Sequence, residues 1–322
     1  MRTTALAAVL AAIALTTGAA RGAQPALPLV AHDHTGIHLT DVIWTGSRLL
    51  YMENTANTIW APGKPPTRFA SMPRVVEETR CAPSPGRHGW PANTLFCHSP
   101  DNVVYRIDAG GHVFPFANLG DSTTSDGAIA FDLQGAFGYR LLTATGASGA
   151  QVHGGSIYAV DAQGKVTKVG AYSSPQNGGA ENMVQAPAGF GSAAGQMVLA
   201  LDAGDKSGSV VAVDAHGHSR VLAFLPDGAN PIAVVPKTVR TTRLTVPRGL
   251  YLSDTFSTNV YRIPAAAVHR YAGELIVGTE VHGLFYAVKP HGSAFTTRRI
   301  GVTVPAPPDG QQLNLEGATY VD

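Results

Sequence analysis

The sequence carries little charge for its size. Only 14% of its 322 residues are Asp, Glu, Lys or Arg, and the formal net charge is +1. A nearly neutral protein exerts no long-range attraction on nucleic acid or on acidic membranes. We therefore expect no nucleic-acid partner, and we look for function in a local cluster of residues instead.

Long hydrophobic runs are also missing. The apolar run at residues 5–15 is too short for a membrane helix, which needs about 20 residues. Arg2 precedes this run and the small residues of "TTGAARGA" follow it, as in a secretory signal peptide cut near residues 20–23. An ordinary N-terminal helix is the alternative. We expect residues 1–23 to be a signal peptide and the mature chain to be secreted or periplasmic, without a membrane span.

Cysteine is scarce, with only Cys81 and Cys97 in the chain. Two cysteines alone make a poor metal site, whereas an exported protein meets an oxidising compartment in which thiols pair. Fifteen residues separate the two cysteines. We expect a Cys81–Cys97 disulfide, because closing a loop of this length is worth about 3 kcal/mol in the chain-entropy model.

Several catalytic and nucleotide-binding motifs are absent. The chain has no GxSxG nucleophile elbow, no Walker loop and no GxGxxG that opens a helix. These absences remove support for a serine hydrolase and for a nucleotide-binding enzyme. A sustained 3.6-residue hydrophobic period is missing after residue 25, so the chain is not built from long helices.

The sequence does contain a repeat of β-hairpins. Each copy has an apolar β-rich run, a polar turn and a second run such as "VYRID" or "IYAVD". The copies begin near residues 49, 95, 141, 197, 249 and 274. A short strand that starts with an acid or its amide precedes most of them, and the starting residues are Asp41, Glu77, Asp126, Glu181, Asn230 and Glu316.

This repeat predicts an all-β protein with the fold of a six-bladed β-propeller. We expect one propeller domain at residues 41–322, preceded by a leader segment at residues 24–40. Seven blades or an irregular last blade are the alternatives, and a β-sandwich is a further one. The run "EGATYVD" at residues 316–322 would close the ring as the inner strand of the last blade. We expect the outer strands of that blade at residues 274–302.

In a propeller the six starting residues surround one channel. Like charges brought together in this way repel unless they bind a cation, take up protons or point into water. Their oxygen-only chemistry favours Ca²⁺ or another hard divalent cation over zinc. Glu77 is the weakest member, because Glu78 competes with it. The alternative is that these residues cap strand ends. The predicted metal ligands are Asp41, Asp126, Glu181, Asn230 and Glu316.

Several of these segments resemble the inner-strand motifs of the gluconolactonase/senescence-marker-protein (regucalcin-like) family. They are "DGAIAFD", "EGATYVD" and "NPIAVVP", and the hairpin "LYLSDTFSTNVYRI" is similar to that family's hairpin. The resemblance implies a six-bladed propeller with one channel cation, often Ca²⁺, that hydrolyses sugar lactones or related esters. By type, Glu316, Asn230 and Asp126 match the family's ligands. The chain departs from the pattern in placing its EG motif at the C-terminal end and in following Asn230 with proline.

Two classes of function remain open. In the first, the chain is a metal-dependent lactonase or esterase in which Asp126 or Glu181 activates water. In the second, it is a non-catalytic binding or scaffold propeller with a structural cation. His153 and His282, each in a "VHG" loop, are further candidates for the site, although His–Gly also suits a turn. We expect a monomer that takes a small molecule in its channel.

Overall fold

The structure is a computed structural model, and it describes residues 24–74, 78–123, 126–146, 154–173, 178–204, 207–239, 243–304 and 312–322. The predicted signal peptide, residues 1–23, lies outside the described residues. Within the described ranges, no helix has both the length and the apolar character that a bilayer span requires.

Six four-stranded antiparallel sheets form the predicted six-bladed β-propeller, which confirms the fold class. We number the strands along the chain and give each blade from its inner to its outer strand. Blade 1 contains β3 (Leu39–Trp44), β4 (Leu49–Glu53), β5 (Thr58–Ala61) and β6 (Thr67–Ser71). Blade 2 contains β7 (Arg80–Pro83), β8 (Leu95–Ser99), β9 (Val103–Ile107) and β10 (Val113–Asn118). Blade 3 contains β11 (Ile129–Phe131), β12 (Leu141–Ala144), β13 (Gly154–Val160) and β14 (Val166–Ser173).

The second half of the ring is built from the remaining long strands. Blade 4 contains β15 (Gly179–Gln185), β16 (Met197–Asp202), β17 (Gly208–Val213) and β18 (Ser219–Leu225). Blade 5 contains β19 (Ala229–Val234), β22 (Leu275–Thr279), β23 (Phe285–His291) and β24 (Ala294–Ile300). Blade 6 contains β26 (Leu315–Val321), β20 (Gly249–Asp254), β21 (Asn259–Pro264) and β2 (Val30–His34).

A few short elements complete the described structure. Two short strands, β1 (Leu27–Pro28) and β25 (Val302–Thr303), pair in parallel. One α-helical turn, α1 (Ala265–Val268), is followed by a 3-10 turn (His269–Tyr271), and another 3-10 turn spans Gly191–Ala193. Regular helix is thus confined to short connections, in agreement with the missing helical period.

The hydrophobic core lies between neighbouring blades. Ile43, Leu50 and Ile59 of blade 1, for example, pack in one cluster with Leu95 and Tyr105 of blade 2. Because each sheet is covered on both faces, middle strands such as β16, β17 and β20 are buried along their whole length. The inner strands contact one another in the order of the blades, and β26 contacts both β19 and β3, which closes the ring.

Blades 5 and 6 are interleaved, which corrects our assignment of the last two hairpins. We predicted that the strands at residues 274–302 would surround the closing strand. Instead β22–β24 pair outward from β19 in blade 5, whereas β26 pairs with β20 of the earlier hairpin. The chain therefore leaves blade 5 after one strand, builds two strands of blade 6, returns to finish blade 5, and then supplies the inner strand of blade 6.

The segment at residues 24–40, which we expected to be a leader, contributes to the propeller. Strand β2 pairs antiparallel with β21 and forms the outer edge of blade 6, with Ala31 opposite Tyr261. Its side chains are mostly exposed, as expected for an edge strand. Residues from both ends of the described chain therefore belong to one blade.

The predicted disulfide is confirmed. Cys81 and Cys97 face each other across β7 and β8, their Cα atoms are 4.0 Å apart, and their sulfur atoms are bonded. The bond ties the inner strand of blade 2 to the next strand. No free cysteine is present among the described residues.

Loss of this disulfide is expected to destabilise the protein without abolishing the fold. Replacing both cysteines by alanine should lower the free energy of unfolding by about 3 kcal/mol, because the unfolded chain gains the freedom of the open loop. Thermal unfolding with and without reductant measures the effect, and the double variant should no longer respond to reductant. An unaltered chain whose melting temperature ignores full reduction would contradict this expectation.

Candidate channel site

The inner strands bring one layer of side chains to the centre of the channel. Arg80 is the first residue of β7 and is buried, with 1% exposure. Its guanidinium group reaches across the channel and contacts the inner strands of four other blades. The contacted residues are Thr40, Glu181, Asn230 and Glu316.

Arg80 donates hydrogen bonds from all three nitrogen atoms of its guanidinium group. Its Nη2 lies 3.1 Å from Glu316 Oε2, 3.2 Å from Asn230 Oδ1 and 3.5 Å from Glu181 Oε2. Its Nε donates to the backbone carbonyl of Glu181 at 3.1 Å, and its Nη1 donates to Thr40. Asn230 in turn donates to Glu316 Oε2 at 2.8 Å. The group is therefore one network with a cation at its centre.

The surrounding carboxylates stabilise the positive charge of Arg80. Burial alone would lower the pKa of Arg80, but the carboxylates of Glu316, Glu78, Glu181 and Asp41 raise it, so the guanidinium remains charged. A buried charge is tolerated only when it is paired and hydrogen-bonded, and Arg80 meets both conditions.

Two glycines let the inner strands approach this closely. Gly127 has a φ of +85°, and a Cβ atom there would lie 2.6 Å from the backbone oxygen of His98. At Gly317 a Cβ atom would lie 2.5 Å from the Cα atom of Asp41. The glycines of "DGA" and "EGA" thus have a packing role, since any side chain would push neighbouring blades apart.

A cluster of three carboxylates lies beside Arg80. One oxygen each from Glu78, Asp126 and Glu181 lies within 4.8 Å of the others. Glu181 is 1% exposed, and among the described residues no N–H or hydroxyl group donates to its Oε1 atom. Its carboxyl group shares a side-chain hydrogen bond with Glu78. Burial, followed by the charges of Asp126 and Glu78, raises the pKa of Glu181 well above its usual range. Burial also raises the pKa of Glu78.

This cluster fits a hard cation. All three side chains offer oxygen atoms, which Ca²⁺ and Mg²⁺ prefer. Burial and mutual repulsion make the ionised form of these carboxylates costly, and a bound cation would offset that cost. A single guanidinium cannot neutralise Glu78, Asp126, Glu181 and Glu316 together, so the cluster keeps a negative charge when these groups are ionised.

The structure brings most of the predicted site residues together, with one offset. Glu181, Asn230 and Glu316 share the layer of Arg80, and Asp126 lies next to Glu181. Asp41 follows Thr40, the residue of blade 1 that Arg80 contacts, so Asp41 belongs to the next layer of the channel. Glu77 lies outside the described residues. Glu78 and Arg80, which we did not assign to the site, occupy the place in blade 2 that we gave to Glu77.

Asp41 lies in a different environment from the residues that accept hydrogen bonds from Arg80. Its Oδ1 accepts the backbone N–H of Val42 at 2.8 Å, and its Oδ2 accepts that of Cys81 at 3.4 Å. Burial raises the pKa of Asp41 to about 7, against the opposing effect of Arg80. The residue lines a cavity on the side of the channel where the inner strands end.

Further acids lie where the neighbouring strands of blades 4 and 5 end. Asp202 and Glu280 share a side-chain hydrogen bond, and burial raises their pKa values to about 6 and about 7. Asp227 accepts the backbone N–H of His282 at 2.9 Å, and its Oδ2 lies 3.2 Å from His282 Nδ1. His282 is thus anchored in its turn by Asp227. The other candidate histidine, His153, lies outside the described residues.

The comparisons with known proteins give a fold and no closer identity. No family model matches the chain, and no curated protein matches it. A solved glucose dehydrogenase is similar over 87% of this chain and 93% of its own, with 12% identity and a TM-score of 0.54. The periplasmic gluconolactonase PpgL of Pseudomonas aeruginosa is 14% identical over 83% of this chain and 68% of its own, with a TM-score of 0.44. At 12% identity, the likeness to the glucose dehydrogenase shows a shared fold alone.

Proposed function

We propose that the chain is an exported, metal-dependent hydrolase of lactones or related esters. The observation that supports it is the cluster of Glu78, Asp126 and Glu181, whose carboxylate oxygens lie within 4.8 Å of one another and of which Glu181 is buried. These three residues would hold a hard divalent cation such as Ca²⁺. The substrate class follows from the resemblance of the inner-strand motifs to those of the gluconolactonase family.

Each residue has a distinct task in this proposal. A bound cation would supply Lewis-acid polarisation of a lactone or ester carbonyl. Asp126, which is half-buried, would accept the proton of the attacking water, and Glu181 is the second candidate for that role. Arg80 fixes the positions of Glu181 and Glu316 through its hydrogen bonds. Asn230 and Glu316 thus act as positioning residues that keep the cluster in place.

A second candidate function is a non-catalytic propeller that binds or scaffolds other molecules. The network around Arg80 favours it, because a guanidinium that links five inner strands gives the channel an internal counter-charge. In that case a cation would only add stability. Activity measurements separate the two candidates, whereas metal content does not.

Calcium is expected to stabilise the protein and to be required for hydrolysis. A ligand present at a hundredfold excess over its Kd adds about 2.7 kcal/mol to the free energy of unfolding. For a domain of this size the melting temperature should therefore rise by about 5 °C, and EDTA should reverse the rise. Hydrolysis of sugar lactones and aryl esters, measured with Ca²⁺ and with EDTA, is the matching activity test.

Matched variants connect this response to the cluster. Asp126→Asn should lose the calcium response and lower hydrolysis by at least about 100-fold, the usual contribution of a general base. Asp108→Asn is the control, because Asp108 accepts backbone N–H groups in an exposed turn of blade 2 and an amide oxygen can keep those bonds. A calcium response without hydrolysis would select the second candidate function. A protein without either response would refute the metal site.

A further inference from the structure

The channel has a second compartment on the other side of the Arg80 layer. A cavity of about 450 Å³ is lined by the parts of all six inner strands that follow this layer. A volume in this range suits a small organic ligand. Because the side chain of Arg80 crosses the channel, the cavity is separate from the cluster of Glu78, Asp126 and Glu181.

The walls of the cavity are mostly apolar, with polar groups at the inner end. Ala130, Val184, Val234 and Ala318 lie along the walls and keep part of their surface accessible. At the inner end, Asn182 donates its side-chain N–H groups to Asn230 Oδ1 at 3.1 Å and to the backbone oxygen of Glu316 at 2.9 Å. Both N–H groups of the Asn182 side chain are therefore used, and its carbonyl oxygen is the group that remains to accept a hydrogen bond from a ligand.

Charge distinguishes this cavity from a simple apolar pocket. Among the described residues that line it, Asp41 is the only one with a charged side chain, and no Lys, Arg or His lines it. Arg80, at the inner end of the cavity, has no free N–H group for a ligand. Its N–H groups donate to Thr40, Glu181, Asn230 and Glu316. With one acidic and no basic side chain among its described lining residues, the cavity suits a positively charged ligand better than a negatively charged one.

From this arrangement we propose that the cavity binds a small organic cation with a primary ammonium head and an apolar body. The ammonium group pairs with the carboxylate of Asp41 and donates a hydrogen bond to the carbonyl oxygen of Asn182. The apolar body lies against Ala130, Val184 and Val234, where it leaves water. A hydrogen bond between two ionised groups is about twice as strong as one between neutral groups, so the charged head should dominate selectivity.

Three ligands of equal length test the proposal on the unaltered chain. Hexylamine, hexan-1-ol and hexanoate present a cation, a neutral donor and an anion on the same apolar body. Binding is measured by calorimetry at about pH 8, with the three ligands compared under identical conditions. We expect hexylamine to bind at least about tenfold more tightly than hexan-1-ol, and hexanoate to bind most weakly.

Variants locate the binding site. Asp41→Asn should remove the preference for the amine and weaken its binding at least about tenfold, with less than about a threefold change for the alcohol. Ala130→Trp should abolish binding of both, because Ala130 lines the cavity and a large side chain would fill it. Asp108→Asn is the control and should leave amine binding unchanged, because Asp108 lies in an exposed turn of blade 2.

Several outcomes would overturn the proposal, and they can be told apart from failure of the hydrolase. Equal affinity for hexylamine and hexanoate, or no saturable binding of the amine, removes the organic-cation site. Loss of amine binding in Asp126→Asn but not in Asp41→Asn would place the amine at the acidic cluster instead. Because the three-ligand comparison uses the unaltered chain, it decides the question even if a variant does not fold.

Discussion

A chain that ends at residue 312 is expected not to fold cooperatively. The deletion removes β26, the inner strand of blade 6, which pairs with β20 from Gly249 opposite Val321 to Asp254 opposite Leu315. Leu315 and Val321 are completely buried, and each is worth about 2 kcal/mol. Together with the lost strand hydrogen bonds, the cost approaches the whole stability of a typical domain, about 5–15 kcal/mol.

Circular dichroism, thermal unfolding and limited proteolysis measure this effect. The control is a chain that lacks only Asp322, which follows β26 and leaves all of its strand pairs in place. That variant should melt close to the unaltered chain. If the chain ending at residue 312 also melts within a few degrees of it, then β26 does not close the ring.

Replacing Arg80 by methionine is expected to be the most damaging single substitution in the channel. Methionine keeps the length of the side chain but removes the charge, so the carboxylates of Glu181 and Glu316 lose their buried partner. Removing one partner of a buried ion pair costs about 3–5 kcal/mol. Arg106→Met is the control, because Arg106 is only half-buried and lies near Phe114 on the outer strands of blade 2. A surface change of that kind costs about 0.5 kcal/mol or less.

The damage should depend on pH in a defined direction. In the unaltered protein, burial already raises the pKa values of Glu181 and Glu316 above those of the unfolded chain. Without Arg80 they rise further, so the folded state binds more protons than the unfolded state and its stability falls as the pH rises. Arg80→Met should therefore lose less stability at about pH 5 than at about pH 8. An equal loss of stability at pH 5 and at pH 8 would contradict this expectation, because it would mean that removing Arg80 does not change the pKa values of Glu181 and Glu316.

The repeat made the propeller predictable, but it could not assign the last two hairpins. The runs at residues 249–264 and 274–291 have the same apolar-turn-apolar pattern, so either could pair with Asn230's strand or with Glu316's strand. That choice depends on contacts between distant parts of the chain, which a local pattern does not contain. Strand β2 was missed for a related reason, since an exposed edge strand lacks the apolar alternation that marks a half-buried one.

The acidic residues of the candidate channel site could be selected from the sequence, but the hydrogen-bond network that Arg80 forms with them could not. We searched for similar residues at equivalent positions, and this search selected Asp126, Glu181, Asn230 and Glu316, which the structure places near one another. It could not find Arg80, because a complementary charge is by definition unlike its neighbours. The available signal was an arginine directly before Cys81, in a strand expected to face a channel lined with acids.

The interleaving of the last two blades has a consequence for the order in which the protein can be assembled. Blade 6 joins residues 30–34 to residues 259–264, and it receives its inner strand only from residues 315–321. Blade 5 is likewise incomplete until its last strand, Ala294–Ile300, has been made. During synthesis the first four blades can therefore form early. Strand β2 cannot pair until β21 has been made, which is more than two thirds of the chain later. The ring therefore stays open until residues 315–321 are available to pair with β20.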